Sequence, residues 1–584
     1  MRVLLTAVNA KYIHSNPAVY DLQAYAARFG KKAELAEFTI NQSRDEILRG
    51  IYLANPDVLC FSCYIWNISF VRELISDVKK ILPETEIWAG GPEVSYNAGK
   101  FLEENPAVRG VMMGEGEQTF LELMQHYEDR DRSLEEIRGI TFCTEEGEIL
   151  STGWREVMDL SEVPFPYENL ADFEHRIIYY ESSRGCPFQC SYCLSSVDKK
   201  LRFRDMKLVK RELMLFLEHK AAQVKFVDRT FNCRKEHARE IWRFIHENDN
   251  GITNFHFEIA ADLLEKEDFE IFSHMRPGLI QLEIGVQSTN PDTLREIHRN
   301  MDFARVAEAV RNVQANRNIH QHLDLIAGLP MENYESFARS FQDVYALQPQ
   351  QLQLGFLKVL KGSYMHEHTD EYRCLYSSRE PYEVLSTRWL PYADILKLKS
   401  VEEMVEVYYN SGQFRASLLA AERGYENPFF LYEKLGKFYE KKSYDNISHN
   451  RIRRYEILLE FLSEEEPENV SEYRQILTYD AYARENLKSR PAFAAVEEHR
   501  DEIRAFYKWE EENRKYLPEY AQYDWKQLSK MTHMEYFTVP IPTLPMTYGQ
   551  NNGYFLLFDY RCRDALTYNA QCTVVPADLT EQGV

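Results

Sequence analysis

Strand-like apolar runs alternate with helix-like segments along roughly the first 370 of the 584 residues, and this alternation constrains the fold most strongly. In residues 1–150 the runs "RVLLTAV", "PDVLCFSCYI" and "EIWAGG" are separated by amphipathic stretches such as "FVRELISDVKKILP". Strands that alternate with helices and end in glycines are typical of a doubly wound parallel sheet. We therefore expect residues 1–150 to form a Rossmann-like α/β domain, with any ligand bound beyond the carboxyl ends of its strands.

A second series of β/α units occupies residues 151–370. Its strand-like runs are "RIIYYESS", "QVKFVD", "NFHFEIAA", "LIQLEIGVQS", "HLDLIAGLP" and "QLQLGFLKVL". Six such units predict a partial parallel (β/α)6 barrel, in which chemistry collects at the carboxyl ends of the strands. Residues 371–584 are charged and mostly helical in pattern, with strand-like runs only near their end. We expect them to form a mostly helical C-terminal domain.

Charge and cysteine content narrow the class of protein. The chain carries 92 acidic and 69 basic residues, a net charge of -23, which suits neither non-specific nucleic-acid binding nor an anionic membrane. Residues 1–25 lack a signal-peptide pattern, and no segment has the ~18 uninterrupted apolar residues of a membrane helix. We expect a cytoplasmic protein whose ten cysteines stay reduced. Cys60 and Cys63 form a C-x-x-C within a strand-like run, where we expect no redox role.

Three cysteines lie within eight residues of one another. The stretch "RGCPFQCSYC" contains Cys186, Cys190 and Cys193, directly after the first barrel strand, with no fourth cysteine nearby in the sequence. A structural zinc ion and a four-iron cluster each normally take four protein ligands. Three thiolates leave one position open. The spacing alone is compatible with a cluster that has one free iron, with a zinc site, or with unligated thiols.

The C-x3-C-x2-C spacing, with the aromatic Tyr192 before the last cysteine, resembles the motif of the radical S-adenosylmethionine (SAM) enzymes. The resemblance implies that the three thiolates hold a [4Fe-4S] cluster, that Tyr192 lies beside the cofactor, and that the amino and carboxylate groups of SAM bind the open iron. It further implies reductive cleavage of SAM to a 5′-deoxyadenosyl radical, with electrons from an external donor such as flavodoxin or ferredoxin.

The later barrel strands extend this resemblance. "EIGVQSTNPDTLREIHRN" and "DLIAGLP" are similar to strands of the oxygen-independent coproporphyrinogen oxidases. By that likeness Glu258 accepts from the SAM amino group and Arg299 pairs with the SAM carboxylate, two matches of opposite charge. Gln287 and Asp324 would bind the ribose hydroxyls. Where the family has a glycine-rich contact after its second strand, this chain has Asp228 and Thr230 instead.

Two glycine loops in the front domain resemble those of the cobalamin-binding subclass of radical SAM enzymes. "GGPEVS" contains Gly90 and Gly91, and "GEGEQTF" contains Gly114 and Gly116. The resemblance implies that these residues let the backbone approach the nucleotide tail of cobalamin, because glycine has no Cβ. The D-x-H-x-x-G loop of other cobalamin proteins is absent, so we do not expect His14 to bind cobalt.

The resemblance implies a cobalamin-dependent radical SAM methyltransferase that methylates an unactivated carbon or phosphorus centre of a small-molecule or peptide substrate. A radical cyclase or rearranging enzyme that uses cobalamin without methyl transfer is one alternative, and a cobalamin-binding sensor or electron-transfer protein is another. A methylthiotransferase acting on tRNA is disfavoured, because there is no second cysteine trio and no basic tail. Residues 371–584 resemble a tail of unknown role in this subclass, and we expect them to cap the barrel.

Overall fold

The computed structural model describes residues 1–130, 132–167, 169–197, 199–496, 499–545 and 553–576. The chain divides into two compact units. The first unit comprises Met1–Ile319, Ile326–Asn333 and Phe356–Tyr392, and the second comprises His320–Leu325, Tyr334–Gly355 and Ala393–Val584. The division into three domains at residues 150 and 370 stays a prediction.

A seven-stranded sheet opens the first unit. Its strands are β1 (Val3–Asn9), β2 (Glu34–Thr39), β3 (Val58–Ser62), β4 (Glu86–Gly90), β5 (Gly110–Met112), β6 (Ile140–Cys143) and β7 (Ile149–Ser151). Its helices are α1 (Pro17–Arg28), α2 (Arg44–Ala54), α3 (Ile68–Ile81), α4 (Pro92–Ser95), α5 (Ala98–Glu104) and α6 (Glu117–Asp129). The strand order is β2-β1-β3-β4-β5-β6-β7. Strands β1 to β5 pair in parallel, which confirms the doubly wound sheet, and β6 and β7 extend it antiparallel.

Local sequence explains these elements. All seven residues of β1 are buried, as expected for a parallel strand covered by helices on both faces. Helix α3 buries Val71, Leu74 and Val78, whose spacing of three and four residues places them on one face. Helix α2 begins with a capping box, in which Ser43 Oγ accepts from the Glu46 amide and the Glu46 carboxylate accepts from the Ser43 amide, both at 3.3 Å.

The six predicted barrel strands are all present as strands. They and the short pair that brackets the cysteine loop are β8 (Ile178–Tyr180), β9 (Ser183–Arg184), β10 (Arg202–Phe203), β11 (Gln223–Phe226), β12 (Asn254–Ile259), β13 (Ile280–Gln287), β14 (His320–Ala327) and β15 (Gln351–Phe356). The helices between them are α7 (Met206–Glu218), α8 (Lys235–Glu247), α9 (Lys266–Ser273), α10 (Pro291–Glu296), α11 (Phe303–Gln314) and α12 (Tyr334–Tyr345). Within the first unit β8, β11, β12 and β13 pair in parallel in that order, while β9 and β10 are antiparallel.

The rest of the chain is mostly helical, as predicted. The first unit ends with α13 (Tyr364–Glu367), β16 (Leu375–Tyr376) and β17 (Val384–Ser386). The elements that follow are α14 (Tyr392–Met404), α15 (Arg415–Ala421), α16 (Phe429–Lys442), α17 (Arg451–Glu465), α18 (Val470–Arg484), α19 (Arg500–Asn513), α20 (Trp525–Met531), β18 (Thr532–Phe537), β19 (Tyr554–Arg563) and β20 (Ala570–Val575). The last three strands form an antiparallel sheet. Among the described residues, no helix combines the length and apolarity needed to cross a membrane.

Candidate cofactor site

The three cysteines of the motif lie on the loop between β9 and β10 and carry free thiols. Cys186 and Cys190 are buried and Cys193 is half-buried. Burial raises the pKa of the Cys186 thiol, and the thiols of Cys193 and Cys190 raise it further, so the three groups share one locality. The Cys193 amide donates to the Cys190 carbonyl at 3.2 Å. The loop therefore holds three thiols near one another, as a metal cluster requires.

A fourth thiol, distant in sequence, lies in the same neighbourhood. Cys233 follows β11, and burial together with the charge of Cys186 raises its pKa to about 11. The sequence does not predict that Cys233 lies close to Cys186, because the spacing between Cys233 and the motif matches no metal-binding pattern. Cys233 is therefore a candidate for a fourth ligand of the cluster.

Arg299 lies beside the cysteine loop, and both Arg299 and Gln287 have side-chain atoms next to Gly285. Arg299 Nη1 is 3.6 Å from Cys190 Sγ and 3.4 Å from the Tyr192 hydroxyl, and Nη2 donates to the Gly285 carbonyl. Among the described residues, the buried Arg299 Nε and Gln287 Oε1 have no hydrogen-bond partner. Gln287 also adopts a φ of 71°, which is strained for a residue other than glycine. Buried unpaired polar atoms and strain are both typical of a ligand site.

Glu258 lies on β12 in a network of charges. Lys225 Nζ is 2.9 Å from a carboxylate oxygen of Glu283 and 3.7 Å from one of Glu258. Burial alone would raise the pKa of Glu283, but His256 and Lys225 lower it to about 2. Both carboxylates therefore have a protein cation beside them, and a SAM ammonium at Glu258 would join an existing network.

Asp228 is completely buried and holds the segment that leads into the cysteine loop. Its carboxylate accepts from the Ser182 amide at 3.1 Å, from the Ser182 hydroxyl at 3.0 Å and from the Ser183 hydroxyl. Burial raises its pKa to about 7 despite these bonds. This position favours a structural role for Asp228, and its predicted contact with SAM stays a prediction.

The other two predicted SAM contacts lie in different units. Thr230 belongs to the first unit, where its hydroxyl is 3.7 Å from Cys186 Sγ and donates to the Arg229 carbonyl at 2.9 Å. Asp324 lies on β14 in the second unit, with a carboxylate oxygen 2.9 Å from His322 Nε2. Thr230 is thus close to a cluster thiol, whereas the role of Asp324 rests on the sequence resemblance.

Ser95 joins the two glycine loops of the front domain. Its hydroxyl donates to the Gly91 carbonyl at 2.8 Å and accepts from the Gly114 amide at 3.3 Å. A Cβ on Gly91 would lie 2.4 Å from the Cys63 carbonyl oxygen, whereas a Cβ on Gly90 would meet no protein atom closer than 3.6 Å. The protein's own packing thus requires glycine at position 91, whereas a Cβ at position 90 would make only ordinary contacts with Met112.

The His14 side chain contacts the first barrel strand, β8. Its Nδ1 lies 2.6 Å from the Tyr179 hydroxyl. Burial and the positive charges of Lys11 and Lys225 lower its pKa, which favours the neutral ring. The absence of a bond from His14 to cobalt stays a prediction.

A buried ionic network links the second glycine loop to the cysteine loop, and the sequence analysis missed it. Arg184 Nη2 is 2.8 Å from Glu117 Oε1 and 2.7 Å from Glu181 Oε2, and Nη1 is 3.6 Å from Glu115. Arg202, paired with Arg184 across β9 and β10, also binds Glu115. Although burial opposes it, Arg184 lowers the pKa of Glu117, which stays ionised. The network therefore connects the loop of Gly114 and Gly116 to the strands that bracket the cysteine loop.

Further polar and aromatic side chains of the first unit lie close to one another. Tyr64 and Trp66, after β3, stack with ring centres 4.4 Å apart and planes at 8°. The pKa of Tyr64 is raised by burial and responds to the charges of Arg229, Asp21 and Glu181. Burial and neighbouring carboxylates also raise the pKa of Asp21 well above its ordinary value. Residues that follow strands of the first sheet and of the barrel therefore act on one another.

Three family models match successive parts of the chain. A B12 binding domain matches residues 3–124, the Radical SAM superfamily matches residues 180–344, and a protein of unknown function, DUF4080, matches residues 370–558. The first two matches cover the two glycine loops and the cysteine loop.

Relatives with assigned activities are similar to part of the chain. The cobalamin-dependent radical SAM methyltransferase TokK from Streptomyces tokunonensis is 26% identical over 309 residues, which cover 50% of this chain and 44% of TokK. An anaerobic magnesium-protoporphyrin IX monomethyl ester cyclase from Synechocystis is 25% identical over 242 residues, covering 40% of this chain and 48% of the cyclase. The matched region spans about half the length of these curated relatives.

A solved structure shares the fold. The radical S-adenosylmethionine methyltransferase TsrM from Kitasatospora setae superposes with a TM-score of 0.54 at 17% identity, covering 64% of this chain and 77% of TsrM. Since the identity is low, this likeness concerns the fold alone. Together with the family models, it confirms the architecture predicted from the sequence. The chain thus contains a region that matches the B12 binding domain, followed by a region that matches the Radical SAM superfamily.

Proposed function

We propose that this chain is a cobalamin-dependent radical SAM enzyme that methylates an unactivated carbon or phosphorus centre of a small molecule. One observation carries the proposal: Arg299 Nε is buried without a partner among the described residues, and the Arg299 guanidinium lies beside a loop of three free thiols. Gln287 Oε1, near the same Gly285 that Arg299 contacts, is also buried without a partner in this described part of the chain. A buried polar atom without a partner costs about 1–3 kcal/mol, which a bound ligand recovers. The groups therefore fit a site for a cluster and a polar cofactor.

The protein residues have separate tasks in this proposal. Cys186, Cys190 and Cys193 would ligate three irons of a [4Fe-4S] cluster. Arg299 would pair with the SAM carboxylate, because its guanidinium lies 3.6 Å from Cys190 Sγ and keeps one donor unused. Gln287 Oε1 would accept from a ribose hydroxyl.

Cobalamin would bind over the carboxyl ends of the first sheet. The supporting observation is the position of the two glycine loops, which follow the parallel strands β4 and β5 at their carboxyl ends. Ser95 would keep the loops of Gly91 and Gly114 in register through its two hydrogen bonds. The ionic network around Arg184 would hold this surface at a fixed distance from the cluster loop.

When bound, the cluster supplies an electron for cleavage of SAM and cobalamin supplies a methyl group for transfer. The polypeptide binds and orients these groups and excludes water, while the cofactors carry the difficult chemistry. The electron would come from an external donor such as flavodoxin or ferredoxin. A small-molecule substrate fits this proposal, and we do not expect nucleic acid as a partner because of the net charge of -23.

The test is an isotope-transfer experiment with anaerobically reconstituted protein. The protein, with cobalamin and a reductant, is incubated with SAM deuterated on its methyl group and with metabolite extracts from a strain lacking the gene. A product that gains the labelled methyl group supports the proposal. A product formed with SAM cleavage but without the label indicates a cyclase or rearranging enzyme. Cobalamin binding without any SAM cleavage indicates a sensor or electron-transfer protein.

A further inference from the structure

The second unit contains a cavity of about 190 Å³ that lies outside the predicted cofactor residues. Its walls come from the end of α12, the start of α15, the end of α18 and the turn between β19 and β20. Residues that matter for its chemistry are Tyr345, Tyr409, Arg415, Glu422 and Arg484. At roughly 30 Å³ per water molecule, the space holds about six waters or one small metabolite.

Arg484, on one wall of the cavity, lies close to other positively charged side chains. Its Nη1 donates to the Thr567 carbonyl at 2.5 Å, and its guanidinium lies 5.6 Å from the Tyr568 ring centre. Arg563 lies 5.0 Å from the same ring. Burial, and then repulsion by Arg563 and Arg451, lower the pKa of Arg484. An added anion would relieve this repulsion.

Neither arginine of the cavity has a carboxylate partner. Within the described ranges, no acidic oxygen lies within 4.0 Å of a guanidinium nitrogen of Arg415 or Arg484. Asp480, which acts on Arg415 through its charge, already accepts from the Ala416 amide at 3.1 Å and the Ser417 amide at 2.8 Å. In a chain with 92 acidic and 69 basic residues, two arginines that line one cavity without a carboxylate partner among the described residues favour an anion as the ligand.

Glu422, whose carboxyl group lines the cavity, does not neutralise these cations. Glu422 accepts a hydrogen bond from Tyr345, whose hydroxyl is also 3.0 Å from that of Tyr432. Burial raises the pKa of Glu422 to about 7, so a large share of it is uncharged at neutral pH. Tyr409 donates to the Pro349 carbonyl at 2.5 Å. The cavity therefore keeps a net positive charge.

We propose that this cavity binds a small molecule through a compact anionic group, a carboxylate or a phosphate, held between Arg415 and Arg484. Arginine suits both groups, because its planar fork of donors matches their oxygens. The small volume selects a ligand well below the size of the drug-like molecules that fill cavities of about 300–1,000 Å³. None of the residues that line this cavity is a proposed cofactor residue, and the proposal does not depend on methyl transfer.

Isothermal titration of the full-length protein tests the proposal. The two probes are inorganic phosphate and benzoate, each at constant ionic strength set with sodium chloride. We expect saturable one-to-one binding of at least one probe, and the stronger of the two identifies the anionic group. Arg415→Gln and Arg484→Gln should each weaken that binding about tenfold or more, because each removes a charged hydrogen-bond donor.

Arg453→Gln is the matched control, since Arg453 has its own carboxylate partner in Glu456 at 3.1 Å and does not line the cavity. This variant should bind like the unmodified protein. Arg415 is exposed, so its replacement leaves the fold intact and remains informative even if Arg484→Gln unfolds. Absence of saturable binding by both probes would overturn the proposal, as would equal affinity in Arg415→Gln and the unmodified protein.

Discussion

At the scale of single residues, Gly90 and Gly91 share one motif, but of the two only Gly91 has to be glycine for the protein's own packing. Gly91 has a φ of 107°, and a Cβ there would lie 2.4 Å from the Cys63 carbonyl oxygen. A Cβ on Gly90 would make only ordinary contacts with Met112, the nearest at 3.6 Å. The sequence assigned both glycines to the cobalamin surface, whereas the structure shows that the backbone itself accounts for Gly91.

Substitutions at the two glycines separate folding from cobalamin binding. Gly91→Ala should destabilise the protein by on the order of 1–3 kcal/mol, because it adds backbone strain whether or not cobalamin is present. Gly90→Ala should keep the thermal midpoint but lower cobalamin affinity, because its methyl group would hold the cobalamin tail away from the loop backbone. The measurements are the thermal midpoint without cofactor and the cobalamin dissociation constant. Unchanged cobalamin affinity in Gly90→Ala would remove Gly90 from the binding surface.

The unpaired atoms of Arg299 and Gln287 predict graded losses of SAM affinity. Arg299→Gln removes a charged donor and should weaken SAM binding about tenfold or more, and Gln287→Met removes a neutral acceptor and should cost less. Equilibrium binding of SAM to cluster-loaded protein, with iron content measured in parallel, checks both. Gln281→Met, on the same strand, is the control and should bind SAM normally. Equal affinity in all three variants would mean that the barrel strands are assigned in the wrong register.

Asp480 predicts a pH dependence of stability. Burial raises its pKa from 3.8 to about 7 in the folded protein, so the unfolded chain releases this proton more readily. The contribution of the neutral carboxyl to stability is complete below pH 3.8 and is lost as the pH rises through about 7. The loss amounts to at most about 1.4 kcal/mol per pH unit.

The comparison is between the unmodified protein and Asp480→Asn, which mimics the neutral carboxyl. Their thermal midpoints should be similar at low pH, and the unmodified protein should fall progressively below the variant as the pH approaches 7. A difference that does not change with pH would show that Asp480 is already ionised in the folded protein.

At the scale of elements, the network of Arg184 connects the start of α6 to the strand pair that brackets the cysteine loop. Arg184→Gln and Glu117→Gln should each weaken cobalamin binding, because each leaves buried charge unbalanced and loosens the glycine loop. The double variant should lose less than the sum of the two single losses, since both remove the same interaction. Cobalamin dissociation constants of the four proteins measure this coupling.

The exposed pair of Arg72 and Glu104, 3.1 Å apart in the same sheet domain, provides the control. Arg72→Gln should leave cobalamin affinity unchanged, because exposed ion pairs contribute little. Strictly additive losses for Arg184 and Glu117 would mean that the two side chains act independently, and that the loops are not connected through them.

The sequence predicts these elements well where the signal is local. Periodicity shows the parallel strands of the first sheet, and motif spacing shows the cysteine loop. The contact of Arg184 with Glu117 depends on chain folding that brings distant residues together, and no local pattern indicates it. The same is true of Ser95, which bridges two loops. Asp228 follows a strand as a ligand-binding residue would, yet the serines at 182 and 183 surround its carboxylate.

At the scale of the whole molecule, the distribution of the ten cysteines determines whether an open iron exists. Cys60 and Cys63 are buried in the sheet, where burial raises the pKa of each to about 12. Metal binding requires the thiolate, so these two are poor ligands. Cys233 differs from Cys60 and Cys63, because its thiol lies close enough to Cys186 for the charge of Cys186 to raise its pKa. A fourth cysteine ligand would leave no iron free for SAM.

Iron content after anaerobic reconstitution distinguishes these arrangements. Alanine at Cys186, Cys190 or Cys193 should abolish the four-iron cluster in each case, because two thiolates do not hold it. The joint replacement of Cys60 and Cys63 should retain four irons per chain. Cys233→Ala is the decisive variant: we expect an intact cluster and unchanged SAM affinity, since three thiolates and SAM complete the coordination. Loss of the cluster in Cys233→Ala would make Cys233 the fourth ligand, close the iron to SAM, and leave electron transfer as the function that the site supports.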